Sequence, residues 1–176
     1  KGVYQNTEDT YARDLNGNII NDINGKPVVV QNGTEKVYPG DAKYEDINGD
    51  GVIDANDIVY LGNYSPKIIG GFNFRLSYKN WQLSANFQGR VGQKVFNQTR
   101  LNSEMMRGKS NQSTATLRRW RNEGDVTDMP RALYGRGYNS LGSDRYIEDA
   151  SFLRMKTITL KYSFPKNLTK KMHLTA

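Results

Sequence analysis

The sequence predicts an all-β chain whose antiparallel strands form part of a transmembrane β-barrel, with long extracellular loops between them. Two consecutive segments around Lys79-Asn80 alternate apolar and polar side chains, each for about 10 residues or more, the length a tilted strand needs to cross a bilayer. Aromatic Tyr78 and Trp81 flank the turn between them, where an interfacial girdle would lie. Short and very long connections also alternate along the chain, and barrels of the outer membrane place short turns in the periplasm and long loops outside.

Taken in order, Lys1-Gly2-Val3-Tyr4-Gln5 reads like the middle of a strand. No charged-plus-apolar leader precedes it, so residues 1–5 are expected to be a strand end and Lys1 not a natural start. Residues 6–65 form the first long loop. Within it Asn16-Gly17 and Asn24-Gly25 adjoin short apolar runs such as Ile19-Ile20 and Val28-Val29-Val30, which predicts small surface hairpins. Asp-x-Asn-Gly recurs at Asp14, Asp22 and Asp46; the first two copies read as hairpin turns rather than a repeat, since nothing at fixed period follows them.

Residues 66–96 form a hairpin. Phe72, Phe74, Leu76 and Tyr78 alternate with Asn73, Arg75, Ser77 and Lys79; beyond the turn, Trp81, Leu83, Ala85, Phe87, Gly89 and Val91 alternate with Gln82, Ser84, Asn86, Gln88 and Arg90. Residues 97–145 form the second long loop, where function would concentrate as in the first. Its Ser113 to Trp120 stretch reads as an amphipathic helical patch that packs on its own rim rather than on a partner. A third strand is expected within residues 146–164, with Ile158, Leu160, Tyr162 and Phe164 on the oily face. Continued backwards, that parity puts Lys156 and Arg154 on the oily face too, so either a bulge shifts the register there or both lie above the bilayer. Pro165 ends the run, and residues 165–176 are expected to hold a periplasmic turn and the start of the next strand.

The chain has 176 residues, of which 36% are hydrophobic and 11% aromatic. So many aromatics argue against disorder, and the low apolar share still suits a barrel wall that is oily on one face only. No run of about 18 apolar residues occurs, which excludes a transmembrane helix. With 0 Cys there are no disulfides and no thiolate chemistry. The net charge of +7 invites a nucleic-acid reading, but the basic residues are scattered rather than gathered on one periodic face, the tight clusters being Arg118-Arg119-Trp120-Arg121 and Lys166 to Lys171. No nucleic-acid partner is expected.

Catalytic material is scarce. The 1 His is His173, with no acid partner pattern nearby. Glu45-Asp46 and Glu148-Asp149 are adjacent pairs, which point to opposite faces of a strand and do not converge. Gly135-Arg136-Gly137 lacks the strand-to-helix setting of a phosphate loop. The chain is read as a non-enzyme.

One segment carries metal chemistry. Asp46-Ile47-Asn48-Gly49-Asp50-Gly51-Val52-Ile53-Asp54-Ala55-Asn56-Asp57 matches the calcium loop of an EF-hand: Asp46, Asn48 and Asp50 at positions 1, 3 and 5, a turning Gly51, the Val52 carbonyl, then Asp54 and Asp57 at positions 9 and 12. Asp57 is shorter than the usual Glu, which predicts a weak site or one closed by water. The loop is expected to bind Ca2+ and so stiffen the first extracellular loop; the competing reading is a bare Asx-bonded turn.

Several motifs together resemble the SusC/RagA family of TonB-linked outer-membrane transporters. They are Pro39-Gly40-Asp41-Ala42-Lys43-Tyr44 running into the acidic loop, Leu61-Gly62-Asn63, Gly71-Phe72-Asn73-Phe74, Tyr78-Lys79-Asn80-Trp81, Phe87-Gln88-Gly89, Arg119-Trp120, Asp128-Met129-Pro130-Arg131-Ala132 and Ser143-Asp144-Arg145-Tyr146 onward to Lys156. The resemblance implies a C-terminal fragment of a large, plugged barrel in the bacterial outer membrane, facing lipid outside. It implies import of glycans or oligopeptides with a SusD-like lipoprotein lid and the TonB complex, through parts outside residues 1–176. On that reading Asn73, Arg75, Gln82, Asn86, Gln88, Arg90 and Lys161 line the lumen. The rival is a soluble, calcium-stabilised β-rich interaction module without transport, in which Phe72, Phe74, Trp81 and Phe87 would be buried.

Overall fold

The computed structural model describes residues 2–135, 137–165 and 169. His173, most of the Lys166 to Lys171 cluster, Arg136 and nearly all of the expected terminal turn and strand start lie outside the described residues. In chain order the strands are β1 (Gly2–Val3), β2 (Gln31–Asn32), β3 (Glu35–Lys36), β4 (Ala42–Lys43), β5 (Val52–Ile53), β6 (Ile68–Tyr78), β7 (Trp81–Val91), β8 (Lys94–Phe96), β9 (Ile147–Asp149) and β10 (Phe152–Tyr162). A helix, α1 (Gln98–Glu104), follows β8, its N-terminus capped by the Asn97 side chain, which accepts from the Arg100 amide. The chain divides into a loop unit, Lys1–Leu61 with Phe96–Ile147, and a sheet unit, Gly62–Val95 with Glu148–Ala176.

In the sheet unit β7 lies between β6 and β10, antiparallel to both. Tyr78 pairs with Trp81 across a tight turn at Lys79-Asn80, in which Lys79 takes the left-handed φ of 50°. Such a turn holds both strands in register, so from Phe72 to Tyr78 each apolar residue of β6 meets an apolar or small residue of β7: Leu76 opposite Leu83, Phe74 opposite Ala85, Phe72 opposite Phe87. The Phe72 and Phe87 rings stack at 4.6 Å. At the turn end Trp81 and Tyr162 lie 4.6 Å apart, and Tyr162 meets Phe164 edge-on at 5.1 Å.

A bulge decides the parity of β10. The register slips between Met155 and Thr157, leaving Lys156 as the unpaired residue. Tyr162, Leu160 and Ile158 face the same side as Trp81, Leu83 and Ala85; beyond the bulge Met155 and Leu153 take over that side opposite Phe87 and Gly89. Arg154 therefore stands opposite Gln88 on the polar face. Of the two arrangements the sequence left open, the bulge is the one that forms.

The loop unit is built around a ring. The Ala12 amide donates to Val28 O at 2.8 Å, Val28 to Ile20 O at 2.8 Å, and Ile20 to Ala12 O at 2.9 Å. Antiparallel bridges Arg13 to Ile19, Asn21 to Pro27 and Tyr11 to Val29 close its three sides. Asn16-Gly17 and Asn24-Gly25 are turns, as their composition indicates, and Asp14 and Asp22 fasten them alike: each Oδ1 accepts from the amides two and four residues on. The reading that no fixed period follows is corrected here. Ala12, Ile20 and Val28 recur every eight residues, as do Asn16-Gly17, Asn24-Gly25 and Asn32-Gly33, and that spacing lets three legs join head to tail. Tyr4, Ala12, Val30 and Val37 form the buried core, with Ile20, Val28, Val29 and Ile53 packed on it.

Around this ring β2 pairs antiparallel with β3 and parallel with β5, while β1 pairs with β4. The expected helical patch in the second loop is a 3-10 turn, Thr114–Arg118, capped by Ser113. It packs within its own unit: the Trp120 amide donates to Met129 O at 2.9 Å, and the Trp120 ring lies over Gly40.

Candidate functional site

The polar face of the sheet gathers all seven residues assigned to the lumen. Reading across the strands, Asn73, Asn86 and Thr157 share one level, Arg75, Ser84 and Thr159 the next, then Ser77, Gln82 and Lys161. In the other direction stand Gly71, Gln88 and Arg154, then Ile69, Arg90 and Phe152. Arg154 is the member that parity counting misplaced, and its own charge on an apparently oily face was the signal of the bulge. The Arg154 guanidinium lies 5.1 Å from the Phe152 ring centroid.

The acidic loop closes on itself. Asp46 accepts from the Gly49 and Gly51 amides, both at 2.7 Å, and Asp50 from the Val52 amide at 2.7 Å. Asp57 reaches back to the amides of Ile47 and Asp54, both at 2.8 Å, joining the loop ends, and Asp54 caps the 3-10 turn Ala55–Asp57. Asn48 bonds Asp50 through its amide nitrogen at 2.8 Å. β5 places Gly51 O and Ile53 O toward β2, where they accept from Gln31 and Gly33, on either side of the Val52 carbonyl. These oxygens suit calcium in kind, being hard carboxylate, amide and carbonyl donors. Their present task is to hold backbone amides, and among the described residues no group of three or more His, Asp or Glu side chains is gathered to hold a metal.

The two long loops are fastened to each other by ions and hydrogen bonds. Arg131 donates to Asp41 through Nε at 2.7 Å and Nη2 at 3.1 Å; Asn139 Nδ2 and the Tyr38 amide complete the carboxylate's partners. The Arg131 amide donates to Gly40 O at 2.7 Å, and Tyr44 Oη to Tyr138 O at 2.8 Å. Burial pushes the Tyr4 and Tyr44 hydroxyls well above the usual tyrosine range. A second cluster centres on buried Glu104, which accepts from Arg100 at 3.0 Å and Arg145 at 3.4 Å. At the surface Arg118 forks onto Asp128 at 2.9 and 3.0 Å and holds that carboxyl below its ordinary range. Beside the Asp41 and Arg131 pair lies a cavity of about 440 Å³, lined in part by Asn32, Glu35, Tyr38, Tyr138 and Asn139. Sequence spacing did not point to this linkage, because the partners are 90 residues apart.

Asp149 is held by Ser151 through its amide and hydroxyl, with Lys94 at 3.9 Å, and Asp46 is engaged in its own loop.

No protein-family model matches the chain. It is 40% identical over 126 residues to TonB-dependent receptor P26 of Formosa agariphila, covering 72% of this chain and 13% of that protein. It is 28% identical over 151 residues to TonB-dependent receptor SusC of Bacteroides thetaiotaomicron, covering 86% of this chain and 13% of that one. A solved structure of the RagAB peptide transporter aligns with a TM-score of 0.56 at 29% identity, over 66% of this chain and 13% of that chain. The RagAB peptide importer in its closed-closed state shares the fold, with a TM-score of 0.55 at 24% identity over 85% of this chain and 14% of that chain. The chain thus spans about 13% of the length of the curated relatives it matches. It belongs to the SusC/RagA family of TonB-dependent receptors.

Proposed function

We propose that the sheet unit is a stretch of the wall of a TonB-dependent outer-membrane importer, lipid on its apolar face and the lumen on its polar face. The observation that carries this is the pairing of three 11-residue strands into a sheet with one continuous apolar face and an aromatic cluster at its turn end. At about 3.4 Å per residue such strands are about 35 Å long, and a tilt of about 45° brings their height to about 25 Å, the height of a barrel's apolar band. Phe72, Phe74 and Trp81 are 54%, 42% and 49% exposed, and Phe87 is half-buried between its neighbours' rings. The soluble-module reading needs these rings buried, and no observation favours it.

On this reading the loop unit is extracellular and meets cargo, with the cavity beside Asp41 and Arg131 as its point of contact. The cargo is a glycan or oligopeptide, delivered under a SusD-like lipoprotein and released by the TonB complex. Asp46, Asn48, Asp50, Val52, Asp54 and Asp57 would hold Ca2+ to stiffen the first loop; calcium supplies rigidity there and no chemistry. The test is to fractionate cells expressing the full-length protein and to measure nutrient uptake with and without a functional TonB. Outer-membrane location, heat-modifiable mobility and TonB-dependent uptake are expected, and a soluble location would overturn the reading. For calcium, calorimetric titration should show saturable binding that Asp50→Ala abolishes; no heat in either protein would leave the loop a hydrogen-bonded turn.

A further inference from the structure

The turn that joins β6 to β7 holds a lysine in a conformation its backbone disfavours. Lys79 has φ of 50°, in the left-handed region where glycine sits without cost. The turn is fixed from both sides: Tyr78 pairs with Trp81 across it, and Asn80 O accepts from the Ser163 amide at 2.8 Å. The Lys79 ammonium lies 5.3 Å from the centroid of the Tyr78 ring. Tyr78 alternates in phase with Phe72, Phe74 and Leu76, so its ring stands on the apolar face, and the ammonium is carried to that same side. There Trp81 and Tyr162 lie 4.6 Å apart and Tyr162 meets Phe164 edge-on. The cation therefore stands at the end of the sheet where its aromatic rings gather.

We propose that Lys79 and this aromatic end form a site for the phosphate of an anionic phospholipid in the periplasmic leaflet. The inference rests on the wall reading, which puts the apolar face against lipid and the short turn at the periplasmic rim. The apolar run ends at Tyr78 and Trp81, so the ammonium stands at the boundary where headgroup phosphates lie. Rings with a polar tip, such as Tyr78, Trp81 and Tyr162, suit that boundary, one end apolar and the other wet. An ammonium held there pairs with a phosphate by charge-assisted hydrogen bonds, which a neutral turn residue does not supply. Strained backbone positions cluster where a side chain has a task, and here the left-handed turn delivers the ammonium to the lipid side. The site faces away from the lumen, so whatever fills the barrel does not reach it.

The experiment attaches a fluorophore at Asn80→Cys in the full-length protein, freed of any other cysteine and reconstituted into phosphatidylcholine bilayers. The quenchers are phosphatidylglycerol and phosphatidylcholine, each with a nitroxide near the headgroup end of an acyl chain, at equal mole fraction. With Lys79 present, the phosphatidylglycerol probe should quench about two-fold or more strongly than the phosphatidylcholine probe. Lys79→Gly relieves the backbone, so it should keep native heat-modifiable mobility and lose the preference, whereas Lys79→Arg should retain it. Equal quenching by the two probes with Lys79 present, or an undiminished preference in Lys79→Gly, would overturn the proposal and leave the wall reading standing. Quenching by neither lipid probe, together with full quenching by water-soluble acrylamide, would overturn the wall reading itself, so the two failures are distinguishable. If Lys79→Gly loses native mobility, Lys79→Gln and the probe comparison with Lys79 present decide the matter.

Discussion

The Asp41 carboxylate is buried, and Arg131 forks onto it while Asn139 and the Tyr38 amide take its remaining lone pairs. Truncating Arg131 to Ala leaves that charge buried and unpaired, which costs about 3 kcal/mol. Hydrogen exchange on the full-length protein should then show faster exchange at the Ala42 and Arg131 amides; unchanged protection would mean the pair contributes nothing. Gly40 has φ of 88°, and a Cβ there would run into the Trp120 ring. Gly40→Ala should therefore expose Trp120 and red-shift its fluorescence, at a cost of at least about 1 kcal/mol from the backbone alone. Tyr4 and Tyr44 set the alkaline limit of the loop unit. Burial raises their folded-state pKa above the unfolded value of 10.0, so their contribution is complete below that pH and lost as pH rises through the folded value. Burial raises Tyr146 in the same direction, so a tyrosinate absorbance titration should show late ionisation of these three groups; ionisation of every tyrosine near the ordinary pH would contradict it.

Among the elements, β6 and β7 were legible in the sequence because a period of two runs unbroken from Phe72 to Tyr78 and again from Trp81 to Val91, with Lys79-Asn80 as the turn between them. β10 was legible only in half, since one unpaired residue, Lys156, inverts the parity of everything before it. Deleting Lys156 should remove the bulge without turning any side chain over, so that alternation runs unbroken through β10 and Arg154 stays opposite Gln88 on the polar face. Outer-membrane yield and heat-modifiable mobility should both be retained in that deletion, whereas deleting Met155 instead puts Lys156 opposite Phe87 on the apolar face, where a lysine at mid-bilayer depth costs about 2–4 kcal/mol, and both should fall. The ring of Ala12, Ile20 and Val28 was hidden for a different reason. Two Asn-Gly turns look like independent hairpins until the third, at Asn32-Gly33, supplies the period, and only the backbone bonds show that the legs close on one another. The Asp41 to Arg131 linkage joins the two long loops, and no local period encodes a contact of that sequence separation.

In the whole molecule, the motifs that carried the family resemblance are also those that interlock: Gly40 and Asp41 from the first loop meet Trp120, Arg131 and Asn139 from the second. The sheet unit, described by itself, carries its apolar rings on an exposed face, and the proposed wall puts that face against lipid. This is the central claim, and spin labels test it most directly. Single cysteines replace Phe74, Leu76 and Leu160 on one face and Ser84, Asn86 and Thr159 on the other, in the full-length protein reconstituted into bilayers. The account predicts strong relaxation by lipid-soluble oxygen at the first three and by a water-soluble nickel chelate at the second three. Equal access of the chelate to both faces, or burial of the first three from both reagents, would contradict it.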